Sequence, residues 1–276
     1  MRTMTIKLSF STLACPQWDW NQIIDEASQL GYQGLEIRGI EKELYLPKVT
    51  PFLPKNLGKT IKQLKEKGLE ICCLDTSCQF SDQGTFDQSI KEGKETIDLA
   101  DEIGVPYIRV FGGEFSKSSD EKKTMEMIRH GLETLSDYAQ NKKVEILIET
   151  HDVFASTKQI KKLLEKVNRN NVNVLWDISN TYKVAEEMPE DSYNRIGKYV
   201  KHVHVKDTIG KGREPRPCII GKGDVPITEF VTLLATNNYQ GWLSFEWEKR
   251  WYPDLEEPQV ALRAYIDYMI PLLNRF

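Results

Sequence analysis

The chain's 276 residues, 40% of them hydrophobic and 28% charged, have the balance of a globular protein and exclude extended disorder. With 37 basic against 41 acidic residues the net charge is −4, which excludes a generally basic nucleic-acid binder, so no nucleic-acid partner is expected. No apolar run approaches the roughly 18–20 residues that cross a bilayer. The opening segment is broken by Lys7 and has no signal-peptide pattern, and five cysteines read as thiols in a reducing compartment, so a cytoplasmic protein without a membrane partner is the expectation.

Short apolar runs alternate with longer amphipathic stretches. In order, the pattern predicts a strand at 6–11 and a helix at 19–30, a strand at 34–38 and a helix at 55–67, then strand 70–75 with helix 86–103 and strand 107–111 with helix 120–141. The unit repeats as strand 145–149 and helix 156–168, strand 173–177 and helix 191–199, strand 202–207 and helix 227–237, strand 243–247 and helix 258–273. Gly31, Gly68 and Gly104 stop the first three helices, and Pro258 suits the first turn of the last. Eight strands alternating with eight helices predict one α/β domain over residues 1–276, a (β/α)8 TIM barrel. A doubly wound open sheet is the rival, but no G-x-G-x-x-G follows the first strand, where residues 11–16 read STLACP.

In such a barrel, chemistry sits at the carboxyl ends of the strands. Strand five ends in Glu149, Thr150 and His151, and alternation puts Glu149 and His151 on one face. Strand six delivers Asp177, with Asn180 just beyond. Strand seven places His202, His204 and Lys206 on one face, and strand eight carries Glu246 and Glu248. A lone carboxylate at a strand end is commonly a helix cap or a surface ion pair. Three carboxylates converging on an imidazole inside an apolar barrel are different, because they repel one another unless a cation neutralises them. Oxygen-rich ligation with one nitrogen and no cysteine suits one divalent metal, Mn2+ first, with Mg2+, Co2+ and Zn2+ as alternatives.

The chain resembles the xylose isomerase-like TIM-barrel superfamily, particularly its sugar phosphate isomerase/epimerase group. The resemblance lies in Phe10–Ser11–Thr12 of strand one, Gly34–Leu35–Glu36–Ile37 of strand two and the residues just named on strands five to eight. It implies a divalent metal held by Glu149, Asp177, His204 and Glu246, the H-x-H-x-K pattern pointing to the second strand-seven histidine as ligand. His202 is then a deeper supporting or substrate-side residue. The implied chemistry is isomerisation or epimerisation of a small sugar, keto-sugar or sugar derivative by proton abstraction beside a metal-bound carbonyl. The alternative is a lyase built on the same enolate, either a dehydratase or a 3-keto-glycoside-cleaving enzyme. Ketose 3-epimerases of the group carry a second glutamate a few residues past the strand-five ligand, whereas residues 150–155 here read THDVFA. Glu-Thr-His instead resembles members that use a histidine two residues after the metal glutamate as base. His151 is therefore the expected general base, with Glu149, Glu246 and Lys206 as further catalytic groups. Lys206 and Arg109 are placed to stabilise an oxyanion or orient substrate, with a Lys206–Asp207 ion pair as the alternative for the lysine.

Glu36 and Arg38 share a face at the end of strand two and either contact substrate hydroxyls or pair with each other. The basic, glycine-rich segment 210–217, with Arg213, and Gly221-Lys-Gly-Asp224 beyond it are placed to close over an anionic or polyhydroxylated substrate, although G-K-G-D is no P-loop. Trp247, Arg250, Trp251 and Tyr252 serve sugar stacking, loop packing or a homo-oligomer or partner-subunit interface, and Trp18 and Trp20 share that ambiguity. A DNA-repair nuclease on the same fold needs three zinc ions and many histidines, and this chain has four.

Overall fold

The computed structural model describes residues 6–115, 120–210, 212 and 215–276. β1 (Lys7–Ser11), β2 (Gly34–Ile37), β3 (Glu70–Gln79), β4 (Tyr107–Phe111), β5 (Glu145–Glu149), β6 (Val172–Asp177) and β7 (Val200–Val205) follow one another in parallel. A small antiparallel hairpin, β8 (Asp207–Ile209) and β9 (Arg216–Cys218), comes next, before β10 (Trp242–Phe245) completes the ring. The barrel closes in the order β1-β10-β7-β6-β5-β4-β3-β2. Around it run α1 (Trp20–Leu30), α2 (Pro54–Lys67), α3 (Phe86–Ile103), α4 (Glu121–Ala139), α5 (Thr157–Val167), α6 (Pro189–Ile196), α7 (Ile227–Thr236) and α8 (Pro258–Leu273). This is the predicted (β/α)8 barrel.

Local chemistry sets the boundaries. Asp19 caps α1 by accepting the Gln22 N–H at 2.9 Å, and Gly31 ends that helix in the left-handed region at φ 85°. Alternation along the strands separates two environments. Outward residues pack under the helices: Phe245 stacks on Tyr265 of α8 at 4.6 Å, and Trp176 meets Phe230 of α7 edge-on at 5.2 Å. Inward residues include serines and the polar groups of the site, with Leu147 and Leu175 below Glu149 and Asp177. Ser9 pairs in register with Ser244, Ser244 with His204, and His204 with Asp177. Small serines on β1 and β10 leave room for the long polar side chains opposite.

Three elements differ from expectation. β3 runs past Asp75 to Gln79, its pairing with β4 interrupted by an irregularity before Gln79 meets Phe111. Barrel strand seven ends at Val205 rather than 207, because Asp207 already starts the hairpin with Cys218. The last barrel strand stops at Phe245, and Trp247 turns into the core with its indole N–H donating to the Glu256 carbonyl.

Candidate metal centre

Glu149 ends β5, Asp177 ends β6, His204 lies on β7, and Glu246 directly follows β10, its N–H still bonded to the Val205 carbonyl. All four are buried, and each offers a ligand-type atom within 4.8 Å of the others. His204 Nδ1 stands 3.5 Å from Glu149 Oε1 and 3.4 Å from Glu246 Oε1. Its Nε2 lies 2.9 and 3.0 Å from the two oxygens of Glu36. An ionised carboxylate only accepts, so Glu36 holds a ring proton on Nε2, and in the neutral ring Nδ1, the nitrogen facing the carboxylates, is the one with the lone pair. That is the tautomer a metal ligand needs.

The carboxylates are oriented in the same way. Glu149 Oε2 lies 3.1 Å from Arg109 Nε, and Glu246 Oε2 accepts from Lys206 Nζ at 2.6 Å, which turns each Oε1 toward the imidazole. Asp177 Oδ1 accepts the Asn180 backbone N–H at 2.9 Å. His204 Nδ1, Glu149 Oε2 and Asp177 Oδ2 are buried without an aligned hydrogen bond, although cations stand beside the last two. Buried polar atoms of this kind call for a partner. Three carboxylates and one imidazole, with no thiolate, are the donor set of a divalent cation.

The electrostatics agree. Burial pushes the Glu246 carboxyl up, but the Lys206 and His204 charges outweigh it and hold it well below the usual range. Glu149 is likewise lowered against its burial by Arg109 and His204. Asp177, where burial dominates over Lys206, is pushed up to about 6. Burial also opposes charge on His204, yet Glu36, Glu246 and Glu149 raise its pKa well above normal, so the cluster draws positive charge to its centre.

Several expected substrate contacts are engaged with other protein groups. Glu36 is fully buried, its Oε2 also 2.5 Å from His202 Nε2, so its carboxylate is shared between the two strand-seven histidines. Glu36 and Arg38 do not pair with each other; Arg38 donates to Ser77 Oγ at 2.9 Å. Arg109 is 1% exposed, lies 4.0 Å over the Phe111 ring and bridges Asp75 (3.4 Å) and Glu149. Lys206 contacts Asp177 at 2.9 Å, Glu246, and Glu248 at 2.7 Å, and not Asp207, which turns into the loop. Asp75 was missed, although a carboxylate ending the predicted third strand was the available signal.

His151 projects beyond Glu149 to the barrel mouth. Its ring packs 4.9 Å from Phe111, and Nδ1 stands 2.9 Å from Asp152 Oδ1, leaving Nε2 as the outward nitrogen. Burial works against the charged ring, but Asp152 and Glu149 prevail and push its pKa up to about 9, above the neutral range expected of a base. With Asp152, Glu114 and Asn180, His151 lines a cleft of about 340 Å³; the Asn180 side-chain amide is held by the Thr150 carbonyl at 3.1 Å. A larger hollow of about 770 Å³, lined by Lys142, Lys143 and Asn171 among others, opens at the amino ends of β5 and β6, away from the four donors. Arg213 lies outside the described residues. Trp18 and Trp20 are buried packing residues, whereas Trp251 is half exposed.

The xylose isomerase-like TIM barrel profile matches residues 24–269. An inosose dehydratase of Clostridium perfringens (strain 13 / Type A) is 27% identical over 278 residues, spanning 89% of this chain and 87% of its own. A fructoselysine 3-epimerase of Shigella flexneri is 22% identical over 259 residues, 90% of this chain and 91% of its own. Among solved structures, an IOLI protein with a binding zinc atom superposes with a TM-score of 0.80 at 17% identity, covering 98% of this chain and 99% of that one, a likeness of fold. With the profile spanning nearly the whole barrel, the chain belongs to the xylose isomerase-like TIM barrel family.

Proposed function

We propose that the chain is a divalent-metal-dependent isomerase or epimerase that moves a proton at the carbon beside the carbonyl of a sugar, keto-sugar or sugar derivative. The observation that carries this reading is the convergence of Glu149, Asp177, His204 and Glu246 within 4.8 Å at the carboxyl end of the barrel. The curated relatives, named as an epimerase and a dehydratase, support it. A divalent ion held by these four residues, Mn2+ by expectation and Mg2+, Co2+ or Zn2+ otherwise, supplies Lewis acidity that makes the neighbouring C–H more acidic. His151 follows β5 and Glu246 follows β10, on opposite sides of the mouth with β6 and β7 between them. A substrate seated over the cluster is flanked by both. His151 exchanges a proton through Nε2 on one side, and Glu246 is the carboxylate on the other. The Lys206 ammonium, held against Asp177, Glu246 and Glu248, keeps a positive charge beside the site that favours charge developing on the carbonyl oxygen. Five free cysteines support a reducing, cytoplasmic setting.

The second reading is a lyase on the same residues. The Asp152 carboxylate beside His151 favours it, because an imidazole kept protonated can hand that proton to a departing hydroxyl. The test for both is a chelator-stripped protein reloaded with each metal and incubated with a panel of keto-sugars in D2O. Deuterated isomers identify an epimerase, and an unsaturated ketone with released water identifies a dehydratase. Absence of exchange and turnover with every metal rejects the proposal.

A further inference from the structure

The loop between β7 and α7 contains a concavity of backbone amides that the chain fills itself. Asp207 Oδ2 accepts the N–H groups of Gly221 and Gly223, both at 2.8 Å. Its Oδ1 accepts Val225 N–H at 3.2 Å and Thr208 N–H at 3.0 Å. The two intervening amides are also taken up, Lys222 N–H by the Ile219 carbonyl and Asp224 N–H by the Thr208 carbonyl, both at 3.0 Å. Every amide from 221 to 225 therefore ends on a protein acceptor, and three of them, at alternate positions, converge on one carboxylate.

Successive amides turned toward one centre form an anion-binding nest. A loop leaving barrel strand seven for the next helix is also where TIM barrels hold substrate phosphate. Here the anion is built in. Asp207 is 2% exposed, and a Cβ on Gly223 would stand 2.1 Å from its Oδ1, so nothing else fits between loop and carboxylate. The adjacent lysine is engaged too: Lys183 Nζ lies 2.9 Å from Asp224 Oδ2. On the other side of the mouth, His151, the basic side chain that lines the cleft there, already has Asp152 Oδ1 2.9 Å from its Nδ1.

We infer that Asp207 is a specificity-determining residue, and that the substrate is an unphosphorylated polyol ketone rather than a sugar phosphate. The substrate half of this inference rests on the proton-transfer reading above; the nest half does not. Two measurements on the metal-loaded full chain test them separately. In the first, thermal unfolding of wild type and Asp207→Ala is followed in millimolar formate and in sulfate. The variant, with the Gly221, Gly223 and Val225 amides left without an acceptor, should melt several degrees lower and regain part of that loss in either anion, beyond any change in wild type. Equal responses from the two proteins, or no rescue, overturn the nest. The second measurement needs no variant. For whichever keto-sugar the protein turns over, kcat/KM should exceed that of its phosphate ester on the order of tenfold or more. A preference for the ester overturns the substrate class. If no sugar of either kind reacts, the proton-transfer reading fails, while the anion rescue still decides whether Asp207 fills a nest.

Discussion

Replacing Glu36 separates support of the metal centre from membership in it. Its carboxylate serves His202 at 2.5 Å and His204 at 2.9 and 3.0 Å in a fully buried position, so Glu36→Leu leaves two imidazoles without their acceptor. Removing one partner of a buried charged pair costs about 3–5 kcal/mol. For a chain of this size that lowers the thermal midpoint by roughly 6–15 °C. Glu36→Gln keeps the shape but offers one acceptor oxygen and a donor NH2, so the His204 proton is no longer fixed on Nε2. Metal affinity should then fall about 10–100-fold, as is typical when the partner of a ligating histidine is lost. Melting of the metal-free protein measures the first effect, and competition against a chromophoric chelator the second. With saturating metal, Glu36→Gln should recover most of its turnover. A Glu36→Gln protein with wild-type metal affinity, or a Glu36→Leu protein melting with wild type, would refute the argument.

His151→Asn should keep the metal while turnover and α-carbon deuterium exchange fall together by on the order of 10²–10⁴-fold; unchanged exchange would move proton transfer to another group, and lost metal would make His151 a ligand. Glu246→Gln should lose metal binding in calorimetric titration, and full occupancy with wild-type turnover would remove it from the donor set. Arg109→Met leaves Asp75 and Glu149 buried without their shared cation, at a cost of about 3–5 kcal/mol read by denaturant unfolding, and a change below 1 kcal/mol would contradict that pairing. Metal at about 100 times its Kd should stabilise the fold by about 2.7 kcal/mol. The corresponding rise in melting temperature should vanish on adding chelator, and its absence would argue against a site in the folded state.

Periodicity made the barrel legible because each strand is short, apolar and bounded by a helix with its own stop. The convergence of Glu149, Asp177, His204 and Glu246 was legible because each lies at or near a strand end, where alternation fixes the face. Depth was expected at His202 through the resemblance, and not at Glu36 or Arg109. Glu36, His202 and Arg109 share the inward face with the donors, but their height in the barrel depends on strand stagger, including the register shifts between β2 and β3 and between β6 and β7. Those shifts leave no local mark in the sequence. Asp207 escaped for a related reason: alternation turns it away from Lys206, toward amides fourteen to eighteen positions downstream. The extension of β3 lies past the predicted end at residue 75, where Thr76 Oγ1 donates to the Arg109 carbonyl at 2.7 Å.

The closed strand order has a consequence for how the molecule is made. β10 is hydrogen-bonded on one side to β1 and on the other to β7, so it fills the one gap between the first and seventh strands. A nascent chain that has emerged only as far as β9 carries Glu149, Asp177 and His204 but two unpaired edges, and Glu246 arrives with the strand that seals them. Closing the sheet and bringing Glu246 to Glu149, Asp177 and His204 thus fall to the same stretch of chain. Until then the exposed borders of β1 and β7 are templates for wrong pairing, the stage at which a growing chain most needs shielding from its neighbours.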